Sequence, residues 1–383
     1  FPPIAAVAQQ AGENVNVLPV VFPQDDPDWQ LKGDGYLQRQ VEPSIAASTR
    51  NPDHLVAFFN DYRAVDIADD IGLGETETMV AMVNIARELM MAATWLPLPE
   101  LHLQPRAAAE AWVGMSRSYD GGLTWSGAFL PGGPFDESVE SVNSPVWGLQ
   151  AATDPVVAPG PCGKFYVVFM AFNRGDQSKL VVARYQDLNN FEGGDSIVYQ
   201  GMTVVESGNN ATHGYFLDKP DIEVDVWRGD GGPQECGHRV YVSYSTFVGL
   251  DKYGKFQSKV NFAQLFVDGA NLETSTYSGP TFIDQEFDSQ TIHKTYKQNQ
   301  GTWMTVDPRP GTPSSGGGGT VYVFWRHFFD PDAILLRSTS NFGQSFTPNP
   351  KEITGDLNLA TFDQLGVSTA TGPGFLSFRS NAY

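Results

Sequence analysis

The chain has 383 residues, of which 41% are hydrophobic, and its formal net charge at pH 7 is -20. Asp and Glu outnumber Lys and Arg by 44 to 24, and a surface of that sign opposes binding to a polyanion, which excludes nucleic acid as a partner. No apolar run approaches the roughly 20 residues that a membrane-spanning helix requires, so no membrane span is expected. The 39 glycines and 26 prolines, with 12% aromatic residues, favour an all-β chain of short strands and tight turns.

The N-terminal segment, residues 1–41, precedes the first repeat, and one interpretation of its apolar stretch 15–22 is an outer strand for the last repeat. The alternative is a truncated or cleaved polypeptide whose remaining repeats lie elsewhere. The chain begins at Phe1 without a methionine or a signal-like apolar region. Removal of a signal peptide is one explanation and predicts a secreted, extracellular or periplasmic protein; a sequence that starts within a longer chain is the other. Cys162 and Cys236 precede strands in parallel sequence contexts. A disulfide between equivalent turns of neighbouring repeats would suit an oxidising compartment, and two unpaired thiols are the alternative.

A repeated unit organises the rest of the chain, 42–383. A short strand opens with a polar residue before proline, a turn follows, a second apolar strand ends in polar residues, and a third strand comes next. The first and second strands of the four complete copies are 42–46 with 54–63, 154–157 with 165–169, 219–224 with 239–244, and 303–306 with 320–327. A fifth copy, 364–367 with 374–379, stops before its outer strands. Such meanders of about four strands build a β-propeller when they are arranged radially, and here the last blade is incomplete.

An insertion, roughly residues 64–110, separates the second and third strands of the first copy. Its stretch 76–93 carries apolar residues at helical spacing after a cap at Thr76, which predicts one amphipathic helix. Core packing is one interpretation of the methionines in this helix, and a lid over a substrate site is the other. The acidic residues before it have the oxygen ligands that calcium prefers, or they form a solvated helix start: Asp66, Asp69, Asp70, Glu75 and Glu77. Calcium is the one cofactor considered; no other metal or cofactor site is expected.

The segment 118–125 reads Ser-Tyr-Asp-Gly-Gly-Leu-Thr-Trp, which fits the pattern Ser-x-Asp-x-Gly-x-Thr-Trp at every defined position. Its Asp and Ser side chains can bond turn amides, so we interpret it as a folding device. The segment 339–346 is a degenerate second copy after an equivalent strand. The chain therefore resembles the sialidase-like Asp-box (BNR) repeat β-propellers, and this resemblance implies about six blades.

The same resemblance implies that the Asp-box turns lie opposite the functional face, where the first strands begin and the second strands end. Sialidases hold a substrate carboxylate with arginines and use carboxyl groups for acid/base chemistry. The candidate catalytic residues are Glu42, Asp61, Asp154 and His327. The candidate substrate-binding residues are Arg63, Arg174, Lys219, Arg326 and Arg379. Structural hydrogen bonds and local ion pairs are the alternative role for each of them.

The resemblance implies a secreted carbohydrate-active propeller, an exo-acting glycoside hydrolase or lyase on a terminal acidic sugar. One departure favours a different function: the first arginine of the family pattern, at the start of the first strand, corresponds to Glu42. The alternative is a non-catalytic propeller that binds a glycan or a protein. An assembly role, in which a partner chain completes the last blade, is the third hypothesis.

Overall fold

The computed structural model describes residues 40–63, 111–133, 136–173, 177–192, 194–209, 215–226, 236–248, 257–267, 277–287, 298–310, 318–328 and 333–354. Most of the N-terminal segment, the insertion at 64–110 and the fifth repeat copy lie outside the described residues. The predicted outer strand, the amphipathic helix, the calcium ligands and the incomplete last blade therefore stay predictions.

The described strands form four antiparallel sheets of four strands, and each sheet keeps its strands in chain order. The first sheet contains β1 (Gln40–Ala47), β2 (Leu55–Asp61), β3 (Trp112–Ser118) and β4 (Ser126–Phe129). The second contains β5 (Ala151–Gly160), β6 (Lys164–Phe172), β7 (Gln177–Asp187) and β8 (Ile197–Asn209). The third contains β9 (Tyr215–Asp225), β10 (His238–Val248), β11 (Gln257–Val267) and β12 (Tyr277–Phe287). The fourth contains β13 (Gln298–Val306), β14 (Val321–Phe328), β15 (Ala333–Thr339) and β16 (Lys351–Glu352).

In the part of the chain that the structure describes, helix is confined to short pieces: α1 (Val139–Val142) and a 3₁₀ turn at Pro161–Gly163. Within the described ranges, no helix has the length and apolarity needed to cross a membrane. The all-β prediction is confirmed.

Successive sheets face one another, and their first strands are neighbours in the order β1, β5, β9 and β13. Strand β6 illustrates why the second strands are apolar along their whole length. Its residues Phe165, Val167 and Phe169 pack into the core shared with the first sheet, while Tyr166 and Val168 pack into the core shared with the third. Because side chains alternate between the two faces of a strand, a sheet covered on both faces needs apolar residues at every position.

Each of the four first strands carries the same β-bulge, in which two residues lie opposite one residue of the second strand. The bulged pairs are 42–43, 154–155, 219–220 and 301–302. The residue opposite the bulge is a buried aromatic in every sheet: Phe59, Phe169, Tyr244 or Trp325. Proline can occupy three of these bulges because the bulged pair is released from the regular hydrogen-bond ladder.

The first residue of each bulge has a positive φ: +57° at Glu42, +56° at Asp154, +45° at Lys219 and +65° at Gly301. Glycine adopts this conformation freely, but a residue with a side chain loses about 1–2 kcal/mol there. Three charged residues are held in that conformation at one end of adjacent sheets. Local strain of this kind accumulates where a side chain must point in a particular direction.

The turn at 118–125 lies at the opposite end of its sheet from the bulge, since Ser118 pairs with Leu55 and Val113 pairs with Asn60. Oδ1 of Asp120 accepts the amide of Thr124 at 2.9 Å, and Oγ of Ser118 accepts the amide of Gly122 at 2.9 Å. The turn at 339–346 repeats both bonds, from the amide of Ser345 to Asn341 and from that of Gly343 to Thr339. The side-chain-to-amide bonds predicted for these turns are present.

A disulfide joins Cys162, in the turn between β5 and β6, to Cys236, just before β10, with the two Cα atoms 5.7 Å apart. Both cysteines have a positive φ, 60° and 62°, in equivalent turns of adjacent sheets. Of the two alternatives that the sequence leaves open for these cysteines, the structure has the disulfide, and it ties the second sheet to the third.

Candidate functional site

A cavity of about 460 Å³ opens where the bulges of the first strands meet. Residues 42–44 of β1, 154–156 of β5 and 219–221 of β9 line it, together with Trp303 of β13. Its walls combine three prolines, one indole and several charged groups, the mixture of apolar surface and convergent polar groups that ligand sites commonly have.

An ion bridge joins three sheets across this cavity. Nζ of Lys219 lies 2.8 Å from Oε1 of Glu42 and 3.2 Å from Oδ1 of Asp154. The three side chains keep only 15%, 18% and 12% of their surface exposed, respectively. The positive φ of each residue therefore accompanies a side chain that takes part in this ion bridge, and the structure brings Glu42, Asp154 and Lys219 together.

Asn60, near the end of β2, holds the Glu42 carboxylate and the backbone of Asp154 in position. Its Nδ2 donates to Oε2 of Glu42 at 3.0 Å, and its Oδ1 accepts the backbone amide of Asp154 at 2.7 Å. One side chain therefore fixes the glutamate of the first sheet and the bulge of the second. Asn60 is buried, which removes these bonds from competition with water.

Asp221 and Trp303 form the wall of the cavity on the side of β9 and β13. Oδ2 of Asp221 accepts the backbone amide of Met304 at 2.5 Å, which seats the carboxyl beside Trp303. Burial raises the pKa of Asp221 to about 8, and the charge of Glu223 acts in the same direction against the amide hydrogen bond. Trp303 is 47% exposed, with its ring centroid 5.3 Å from that of Phe324. The cavity thus combines a carboxyl that is largely protonated at pH 7 with an accessible aromatic ring.

Asp218 lies next to the bulge of β9 and accepts a hydrogen bond from Nε2 of Gln300. Burial, supported by the nearby charge of Asp154, raises the pKa of Asp218 to about 6. Its environment differs from that of Asp154, which is paired with Lys219. Carboxyl groups with such different surroundings are the usual basis for separate acid and base roles.

Four other predicted residues do not line the cavity. Asp61 and Arg63 are buried against each other, with Nε of Arg63 2.8 Å from Oδ2 of Asp61, and the guanidinium lies 4.5 Å from the ring centre of Phe129. Arg326 is buried within the fourth sheet, and Nδ1 of His327 is 2.9 Å from Oδ1 of Asn299. Arg174 and Arg379 lie outside the described residues.

Among the residues described, no group of three His, Cys, Asp or Glu side chains is arranged to hold a metal ion. Lys219 is the one cation among the described residues that line the cavity, and it pairs with two of the three carboxylates there. The chemistry on offer is hydrogen bonding, proton transfer from Asp221 and stacking on Trp303.

Asp221 and Trp303 were not predicted as site residues. The fourth repeat copy lacks proline at its bulge, so its glycine, Gly301, was not aligned with Glu42, Asp154 and Lys219. Aligning the copies on the buried aromatic of the second strand would have placed Trp303 at the same position as Asp221. The buried aromatic residue of each second strand is therefore the sequence signal that identifies Trp303 and Asp221 as equivalent positions.

The sequence matches no protein-family model and no curated protein. Among solved structures, the chain is similar to a protein of unknown function from Dyadobacter fermentans, with 12% identity and a TM-score of 0.32, over 82% of this chain and 69% of that one. It is also similar to a Trypanosoma rangeli sialidase in complex with sialic acid, with 11% identity and a TM-score of 0.33, over 84% of this chain and 38% of that one. The same sialidase in complex with 2,3-difluoro-KDN gives 13% identity and a TM-score of 0.33, over 82% and 37%. The match spans less than two fifths of each sialidase chain.

Proposed function

We propose that this chain is a sialidase-like β-propeller that binds a sugar in the cavity between its first strands and hydrolyses a glycosidic bond there. The observation that carries the proposal is the pairing of Trp303 with Asp221 on neighbouring strands: an accessible indole beside a buried carboxyl whose pKa is about 8. The four meanders in chain order, with their first strands adjacent, support a radial arrangement of blades.

In this proposal the indole of Trp303 stacks against the apolar face of a pyranose ring, and the polar groups of the cavity bond its hydroxyls. Asp221, protonated at neutral pH, donates a proton to the glycosidic oxygen as the leaving group departs. Glu42 and Asp154 offer carboxyl groups for the opposite side of the bond, either as a general base that takes a proton from the water attacking the anomeric carbon or as a nucleophile whose glycosyl ester water then hydrolyses. Lys219 positions both carboxylates, Asn60 positions that of Glu42, and neither is assigned a proton-transfer role.

A second function, binding without catalysis, is favoured by one specific observation. Lys219 forms ion pairs with both Glu42 and Asp154, and a carboxylate that is engaged in this way is a weaker base or nucleophile. In a pure binding module, Asp221 and Trp303 would supply affinity alone. The two functions differ in one respect: only the hydrolase forms a product.

The test compares Asp221→Asn and Trp303→Ala with the wild type on a panel of oligosaccharides and aryl glycosides. For a hydrolase, Asp221→Asn lowers kcat by about 10²–10⁴-fold with binding retained, while Trp303→Ala weakens binding. Ser345→Ala, in a turn at the far end of the fourth sheet, is the control and retains activity. Binding of the panel without any product would overturn the hydrolase and support the binding module. The absence of both binding and product, with all proteins folded, would overturn both.

We also propose that the protein is exported. The disulfide between Cys162 and Cys236 suits an oxidising compartment, and the large negative charge suits solubility outside the cell. Purifying the protein from its native source with free thiols blocked tests this proposal, since an exported protein carries the disulfide and an internal one carries two blocked thiols.

A further inference from the structure

The charges around the cavity bear on which sugar it accepts. Glu42, Asp154 and Asp221 line it with carboxyl groups, and Lys219 is the one cation among the described residues of the lining. Both short contacts of the Lys219 ammonium go to protein carboxylates, at 2.8 and 3.2 Å. An incoming carboxylate would therefore have to compete with Glu42 and Asp154 for this ammonium.

The position of the ligand follows from the fourth bulge. The other three sheets place a charged side chain at the first bulge position, whereas the fourth has Gly301, which contributes none. The space on this side of the cavity is bounded by Trp303 and Asp221. A sugar stacked on Trp303 would thus have the Asp221 carboxyl as its neighbour, and the cation would be engaged with the other carboxylates.

We propose that the cavity selects a sugar without a carboxylate group and rejects the corresponding acidic sugar. The inference rests on the proposed function and narrows its substrate class. It differs from the acidic sugar expected from the arginines: Arg63 is paired with Asp61, Arg326 lies within the fourth sheet, and neither lines the cavity. The other two predicted arginines, Arg174 and Arg379, lie outside the described residues. Discrimination here arises from repulsion of the unwanted ligand more than from any added contact with the preferred one.

Pairs of sugars that differ in a single carboxylate group show the effect of ligand charge on binding. Methyl glucoside and methyl glucuronide differ by a hydroxymethyl group and a carboxylate on one ring carbon, and the galacto and manno pairs differ in the same way. Binding of each sugar to the wild-type protein is measured by calorimetry at low and high salt. We expect the neutral member of the pair that binds to do so at least about tenfold more tightly at low salt, with a smaller ratio at high salt because ions screen the repulsion.

Asp221 gives the test a second readout. As pH rises from 7 to 9, its carboxyl ionises beside Glu223, within the field of Glu42, Asp154 and Lys219, so rejection of the uronate increases in the wild type. In Asp221→Asn this increase is smaller, because Glu223, whose pKa is raised to about 7 by burial, is then the one of these two carboxyl groups that still ionises. Glu192→Gln removes one negative charge from an exposed loop away from the cavity and keeps the wild-type pH dependence. A general change in net charge would affect both variants equally.

The outcomes separate the inference from the function on which it rests. A uronate that binds as tightly as its neutral partner, or more tightly, overturns the inference and leaves a carbohydrate-binding cavity intact. An equal pH effect in Asp221→Asn and wild type also overturns it. If no member of any pair binds the folded protein, the proposed function fails, and the inference fails with it.

Discussion

Nζ of Lys219 lies 2.8 Å from Oε1 of Glu42, so the bulge of the third sheet is joined to that of the first across 177 residues of sequence. The bridge continues to Asp154 of the second sheet. A single ammonium group therefore links three first strands whose backbones are held at positive φ. The contact stabilises the fold and also shapes the cavity.

Replacing this ammonium should destabilise the protein. Lys219→Met leaves Glu42 and Asp154 facing each other without a cation, and we expect the free energy of unfolding to fall by about 1–3 kcal/mol. Urea denaturation measures the loss. Lys351→Met removes an exposed lysine from β16 and should change stability by less than about 0.5 kcal/mol. Equal losses in the two variants would contradict a structural role for the bridge.

The raised pKa values on β9 predict that stability falls as pH rises. Asp221 titrates at about 8 and Glu223 at about 7 in the folded protein, whereas the unfolded chain releases those protons near pH 4. Between these values the unfolded state binds fewer protons than the folded state, so each group lowers stability by at most about 1.4 kcal/mol per pH unit. The contribution is fully present below about pH 4 and is lost as pH rises through 7 and 8.

Urea denaturation at several pH values from 5 to 9 measures this slope. Asp221→Asn removes one of the two groups and should flatten the decline, with a gain in stability relative to wild type that grows toward pH 8. Glu192→Gln, on an exposed loop, is the control and should follow the wild-type curve. A slope unchanged by Asp221→Asn would show that this carboxyl titrates as it does in the unfolded chain.

The parts of the fold that the sequence predicts are those with local signals. The buried second strands, the turn at 118–125 and the parallel contexts of Cys162 and Cys236 each depend on residues close together in the chain, and all agree with the structure. The sequence predicts Glu42, Asp154 and Lys219 as site residues because each precedes a proline at the start of a repeat. Their hydrogen-bond partners depend on which sheets are adjacent.

The features that the sequence does not predict are the side-chain contacts and pKa values that burial determines. Asp61 ends β2 and Arg63 follows it at the cavity end of the sheet, but their side chains pair with each other beside Phe129. Asp221 occurs in an ordinary strand sequence, and its raised pKa comes from the surrounding third and fourth sheets. Neither burial nor desolvation can be calculated from one sequence without knowing which sheets are adjacent.

The disulfide between Cys162 and Cys236 should be a major source of stability. It closes a loop of 74 residues between equivalent turns, and its removal by Cys162→Ser with Cys236→Ser should cost about 2–5 kcal/mol. Thermal and urea denaturation measure the loss. Added dithiothreitol should bring the wild type to the stability of the double variant and leave the variant unchanged. A wild type that is insensitive to reductant under denaturing titration would contradict the prediction.

Asp187 joins the first two sheets at the end opposite the cavity, where it accepts hydrogen bonds from Ser48 at 2.6 Å and Ser196 at 3.0 Å and contacts Nδ1 of His54 at 3.0 Å. Burial opposes its ionisation, but the hydrogen bonds, led by that of Ser48, prevail and lower its pKa. Asp187→Asn replaces one acceptor oxygen by an NH₂ group, which cannot accept the hydrogen bonds that the surrounding groups donate. The free energy of unfolding should fall by about 2–3 kcal/mol at pH 7.

A group with a lowered pKa stabilises the folded state above its ordinary pKa, so the contribution of Asp187 is lost as pH falls below about 4. The stability difference between wild type and Asp187→Asn should therefore shrink in acid. Asp195→Asn is the matched control, because Asp195 pairs with Arg117 at a side chain that is 48% exposed, and an exposed pair contributes less than about 1 kcal/mol. If both variants lose the same amount, Asp187 contributes no more to stability than a surface acid does.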